Sequence, residues 1–139
     1  MKNLKFRHNN KGFSLVELII VIAIMAALIA IIAPQYLKYV EKSRVQADET
    51  TAAEILSATK VAASDPAVNL LAGDYKVAWN GGSSVTVTAP SGDDGTFSTA
   101  VTGAIGATPA IKSTTHKSQT YTVTVTVAGT GVTVNAAWA

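Results

Sequence analysis

Between Leu18 and Leu37 the chain runs for twenty residues without a charged side chain. As an α-helix that run spans about 30 Å, the thickness of a bilayer's hydrocarbon core. Ten of the residues from Leu18 to Ala33 are Leu, Ile or Val. At roughly −0.3 to −0.6 kcal/mol each, they favour insertion by about 3–6 kcal/mol. The stretch predicts a membrane helix. Lys2, Lys5, Arg7 and Lys11 precede it with no acid among them, whereas residues 13–139 hold seven bases and nine acids. That bias favours a cytoplasmic N-terminus and an exported C-terminal part. It also confines the basic character to the first dozen residues, so no specific nucleic-acid partner is expected.

With 139 residues the chain has room for one small domain beyond the apolar stretch. It contains no cysteine, which excludes disulfides, thiolate metal sites and cysteine nucleophiles. A cleaved secretory signal fits the charged start, but the apolar run exceeds the usual 7–15 residues. No two alanines between Ala23 and Ala33 stand at the small-x-small spacing of a signal-peptidase exit. An uncleaved single-pass anchor fits better. Neither reading accounts for Lys11-Gly12-Phe13-Ser14-Leu15-Val16-Glu17 at the head of the apolar run.

That heptapeptide, followed by an apolar helix, resembles the processing and assembly signal of the type IV pilins and pseudopilins. The resemblance is strongest over Lys11–Pro34 and extends in layout to about residue 64. It implies cleavage by a prepilin peptidase between Gly12 and Phe13, removing residues 1–12 as a leader, and N-methylation of the new Phe13 amine. The apolar helix then stays in the mature protein. The implied life history is a precursor in the inner or cytoplasmic membrane, handed to pilus assembly machinery and built into a homo-oligomeric helical filament on the cell surface. Fimbrial adhesion, motility and secretion are the activities that such filaments serve.

Glu17 is the only charged residue between Lys11 and Lys38. It lies four residues from the expected new terminus, about 6 Å along a helix. A carboxylate costs roughly 2.5–3.5 kcal/mol at the bilayer centre and less near its boundary, which this helix tolerates. Cleavage at Gly12 creates a cationic partner, the Phe13 amine. In one chain that amine stands at a helix N-terminus, where positive charge is unfavourable and a nearby carboxylate helps. Between chains, a copy shifted along the axis sets its Phe13 amine against a neighbour's Glu17, neutralising both as the helices leave lipid. The resemblance implies the same role. Pro34 removes a helical hydrogen bond and is expected to kink or open the helix locally. It also matches the proline that family members often carry at this distance from the cut. Tyr36 and Tyr39 suit the membrane interface or helix–helix contacts.

Past residue 40 the sequence turns amphipathic. Val45, Ala52, Ile55, Leu56, Thr59, Ala62 and Ala63 recur at three- and four-residue steps, with Glu41, Lys42, Asp48, Glu49 and Lys60 between them. Ser64-Asp65-Pro66 supplies a stop. A helix over 13–64, about 78 Å long, exceeds a bilayer, so its outer half must cover its apolar stripe elsewhere. Residues 65–139 supply the cover as a β-rich head. Tyr75–Trp79, Ser84–Ala89, Thr96–Val101, Thr120–Ala128 and Gly131–Trp138 read as strands. Tyr121, Val123, Val125 and Val127 alternate with threonine, and Ala128-Gly129-Thr130-Gly131 turns that strand into a hairpin ending at Trp138. The expected fold is α+β: a long N-terminal membrane-spanning helix, residues 15–34 its transmembrane and assembly half, whose outer half packs on a small antiparallel sheet.

Gly103–Ser118 reads as a surface loop, its Lys112, His116 and Lys117 a solvated cluster rather than a DNA-binding patch. Gly92-Asp93-Asp94-Gly95 reads as a turn, since two adjacent acids do not complete a Ca²⁺ site. No metal-ligand spacing, phosphate-cradling loop or nucleophile elbow is present, so no enzyme, no cofactor, no metal site and no catalytic residue is expected. Gly12 and Phe13 stand as processing residues; Phe13, Glu17 and Pro34 stand as assembly residues. Three roles fit: a pilus subunit, a pseudopilin of a type II secretion or DNA-uptake system, or a single-pass membrane-anchored binding module that never polymerises.

Overall fold

The computed structural model describes residues 12–139. The leader expected over residues 1–12 therefore lies outside the described residues, apart from Gly12. The elements run α1 (Leu15–Ser64), β1 (Gly73–Trp79), β2 (Thr86–Thr88), α2 (Thr96–Ile105), β3 (Tyr121–Ala128) and β4 (Gly131–Trp138). The described residues divide into two units, the first ending at Tyr39 and the second running over Val40–Ala139.

In the first unit every described residue from Gly12 to Tyr39 is exposed. Leu15 is 73% and Ile32 59% accessible, so among the described residues these apolar side chains are left exposed. Helix α1 continues through Pro34 without interruption. The local opening expected there does not occur, although proline still cannot donate to the carbonyl one turn back.

The second unit is the α+β head. Its sheet has the order β2-β1-β3-β4, antiparallel throughout. Alternation sends Tyr121, Val123 and Val125 of β3 inward beside Tyr75, Val77 and Trp79 of β1. Ala52, Ile55 and Ala62 of the outer half of α1 share that core with Phe97 and Val101. Tyr75 meets Phe97 edge-on, ring centres 4.8 Å apart, a geometry suited to the quadrupoles of both rings. The Thr/Val alternation of β3 and the hairpin to Trp138 are as the sequence predicts.

Three further expectations need correction. Thr96–Val101 is not a strand; it opens α2. Phe97, Val101 and Ile105 recur every four residues, one helical face, and outweigh the β propensity of the threonines. The hydroxyls of Thr99 and Thr102 bond back to the carbonyls of Gly95 and Ser98 at 2.9 and 2.7 Å, which satisfies them within the helix. Asp48, expected on the polar face of α1, is 2% exposed. His116, expected in a solvated basic cluster, is 6% exposed, while Lys112 and Lys117 remain on the surface. The loop that carries it is pinned: the Thr108 hydroxyl donates to the Gly82 carbonyl at 2.7 Å, and Ser113 is buried.

Candidate functional site

Gly12, Phe13 and Ser14 precede α1 without secondary structure, and Phe13 is 91% exposed. A Cβ added at Gly12 would meet nothing within 4 Å, and its φ is not positive. The fold therefore places no demand for glycine at that position.

Ser14 stands at the N-cap, and Glu17, three residues on, reaches back: the Ser14 N–H donates to Glu17 Oε2 at 2.9 Å. This is the return arm of a capping box, which satisfies a donor that a helix start otherwise leaves orphaned. Ser14-x-x-Glu17 was legible as that signature, and the sequence reading passed over it. Glu17 thus has capacity for two tasks. One carboxylate oxygen caps its own helix, and a carboxylate retains acceptor capacity for a further partner. The structure brings Phe13, Ser14 and Glu17 into one short segment. Pro34 is apart from them, about 25 Å farther along the helix.

A second constellation, absent from the sequence reading, lies in the head. Asp48 accepts the backbone N–H groups of Lys112 and Ser113, both at 2.9 Å. Two turns earlier Glu41 Oε1 accepts the N–H of Thr114 and the hydroxyl of the same residue at 2.7 Å. Burial pushes the Asp48 carboxyl up, but the bonds from Lys112 and Ser113, with His116 nearby, together hold it below its ordinary value. The Thr114 hydroxyl, followed by weaker bonds from the same loop, likewise lowers Glu41. The stripe 41-45-48-52-55-59-62 steps by four and three residues, so its first and third members face the head like its apolar ones. Periodicity therefore contained Asp48's orientation; its charge argued the other way.

Asp48, Ser113 and His116 meet, yet their geometry is that of a structural clamp. The Ser113 Oγ accepts the His116 backbone N–H at 3.1 Å, and His116 Nδ1 lies 3.8 Å from Asp48, beyond hydrogen-bond reach. The imidazole stacks on Trp138 at 3.9 Å, nearly parallel. All three residues of the group are buried. In the Gly92–Gly95 turn, Asp93 accepts the Tyr75 hydroxyl at 2.8 Å and Asp94 accepts both the N–H and hydroxyl of Thr96. Among the described residues no three His, Asp or Glu side chains gather as a metal site.

A family model described as the prokaryotic N-terminal methylation motif matches residues 7–33. The chain carries a type IV pilin-like prepilin motif. That match contains the Gly12–Phe13 junction, Glu17 and most of the exposed apolar helix, and it indicates a type IV pilin-like or pseudopilin protein. The motif implies processing by a prepilin peptidase and engagement with pilus assembly machinery. Together with the apolar helix it fits a membrane-anchored precursor. No curated protein and no solved structure matches the chain.

Proposed function

We propose that this pilin-like chain is a structural, non-catalytic subunit of a type IV pilus, trimmed after Gly12 and assembled by bundling of its N-terminal helices. One observation carries the reading. Glu17 lies at the exposed start of a helix whose apolar residues as far as Leu37 are exposed, three residues past an N-cap it already holds. In lipid that surface is solvated by acyl chains. In a filament it must be covered by other copies, and an unpaired carboxylate there would be very costly. The Phe13 amine of a neighbouring copy, created by cleavage, supplies the missing charge. Every copy then offers one amine and one carboxylate, so pairing propagates from copy to copy as a polar filament requires.

Glu17→Gln separates the two tasks, because the amide oxygen still caps Ser14 but carries no charge. Membrane insertion and trimming should survive this change, and filament yield should fall at least about tenfold, the scale of one lost charge-assisted pair. Intact mass should give a polypeptide beginning at methylated Phe13, and electron microscopy of producing cells should show filaments. Normal filament yield from Glu17→Gln would refute the charge pairing. A chain that keeps residues 1–12 and never polymerises would be a membrane-anchored module instead.

A further inference from the structure

The two edges of the head's sheet are unequally guarded. β2 is only three residues long and is followed at once by Ala89-Pro90, two features that blunt an edge. β4 is eight residues long, and from Ser118 to Ala139 the chain has no charge and no proline. The direction of its backbone groups follows from one pair. Thr120 and Ala139 exchange both hydrogen bonds, at 2.8 and 3.1 Å. In an antiparallel ladder such pairs recur every second residue. Along the register Thr122↔Ala137, Thr124↔Asn135 and Thr126↔Thr133, it is therefore Ala137, Asn135 and Thr133 that bond to β3. Val132, Val134, Ala136 and Trp138 turn their N–H and C=O groups away from the sheet. No other backbone bond among the described residues engages these four.

We propose that this edge docks on β4 of a second copy, antiparallel, about a two-fold axis through Asn135. The register follows from the parity. Outward-facing residues must oppose outward-facing residues, and only the pairing of Val132 with Trp138 and of Val134 with Ala136 uses all four on each strand. That pairing lays Val132, 44% exposed, beside the partly buried Trp138 of the other copy. Both belong to the sheet's inner, apolar face, because residues directly opposite on β3 and β4 share a side. Asn135 meets its own copy across the axis, a neutral amide pair with no like-charge repulsion. A charged peptide would find no complementary charge along β4, and β2 of another copy presents only Val87 outward. The self-pairing closes on itself, so it joins two heads and no more. It stands independently of the filament reading.

The test uses the full chain, in detergent and in membranes of producing cells, and exploits the absence of native cysteine. Asn135 faces itself as a non-hydrogen-bonded pair with Cα atoms about 4.5 Å apart, within disulfide reach. Asn135→Cys should give a disulfide-linked dimer on mild oxidation. Thr133→Cys and Ala137→Cys should each stay monomeric alone, yet cross-link when mixed. Adding Ala136→Pro removes an outward N–H but no bond to β3, and should cut the Asn135→Cys dimer yield roughly tenfold. Absence of that dimer, equal cross-linking of Thr133→Cys or Ala137→Cys alone, or indifference to Ala136→Pro would overturn the proposal. Cross-linking of Asn135→Cys to Thr88→Cys would overturn it too, by making β2 the occupant.

Discussion

Asp48 and Gly12 are opposite cases of what a single residue can demand. Asp48 is committed to its surroundings: its carboxylate satisfies two backbone donors of the loop that carries Ser113 and His116. Asp48→Ala leaves both donors unpaired and should destabilise the head by about 2–4 kcal/mol, at about 1–2 for each orphaned group. Asp48→Asn keeps one acceptor but turns an amide NH2 toward the other N–H, and should cost less. Urea titrations of the three proteins check the order. At Gly12 an added Cβ would meet nothing within 4 Å. Gly12→Leu should leave thermal unfolding unchanged while abolishing trimming, so that mass spectrometry finds only the untrimmed chain. A folding defect in Gly12→Leu would contradict the open surroundings of that position.

Among the elements, α2 departs furthest from expectation. Its ten residues bury Phe97 and Val101 under the head, and Phe97 is fully enclosed against Tyr75. Phe97→Ala should cost about 3–5 kcal/mol through lost transfer energy and a residual cavity. Phe97→Leu should recover more than half of that, because the helix needs an apolar side chain of similar volume there rather than a ring. Thermal melts of both variants decide it. At the far end of the sheet, β4 is tied down through Trp138, which tilts against Trp79 and Tyr121 and stacks on His116. The stack connects the last strand to the loop that α1 holds through Asp48 and Glu41. In a chain without disulfides this aromatic cluster and its two carboxylates close the head.

For the molecule as a whole, the two units predict separable responses. Asp48 has a folded-state pKa below its ordinary value of 3.8, so its contribution is fully present above that value. It is lost as the pH falls through the lowered folded pKa, because the unfolded chain then binds the proton more readily. Glu41 is lowered in the same sense. Head stability should therefore decline on acidification below about pH 4, and Asp48→Asn should flatten that decline when melting temperature is followed against pH. Membrane partition, carried by the uncharged run, should be the same for the variant as for the parent. Loss of membrane association on Asp48→Asn would show that the two units do not respond separately.

Regularities along the chain determined the long apolar helix and the Thr/Val hairpin on their own, and the match to the N-terminal methylation motif lies within residues 7–33. The first two rest on a period or spacing strong enough to outweigh context: twenty uncharged residues, and strict alternation over Tyr121–Val127. The capping box of Ser14 and Glu17 was equally local. Only the tertiary structure decided that Thr96 begins a helix, that Asp48 keeps its charge satisfied inside, that His116 is buried, and that β4 is left as an open edge. A carboxylate belongs on the surface until a distant loop brings it two backbone N–H groups. A threonine-rich run favours a strand until neighbours reward a four-residue spacing. Those partners lie up to 65 residues away in the chain, and no local pattern encodes the meeting.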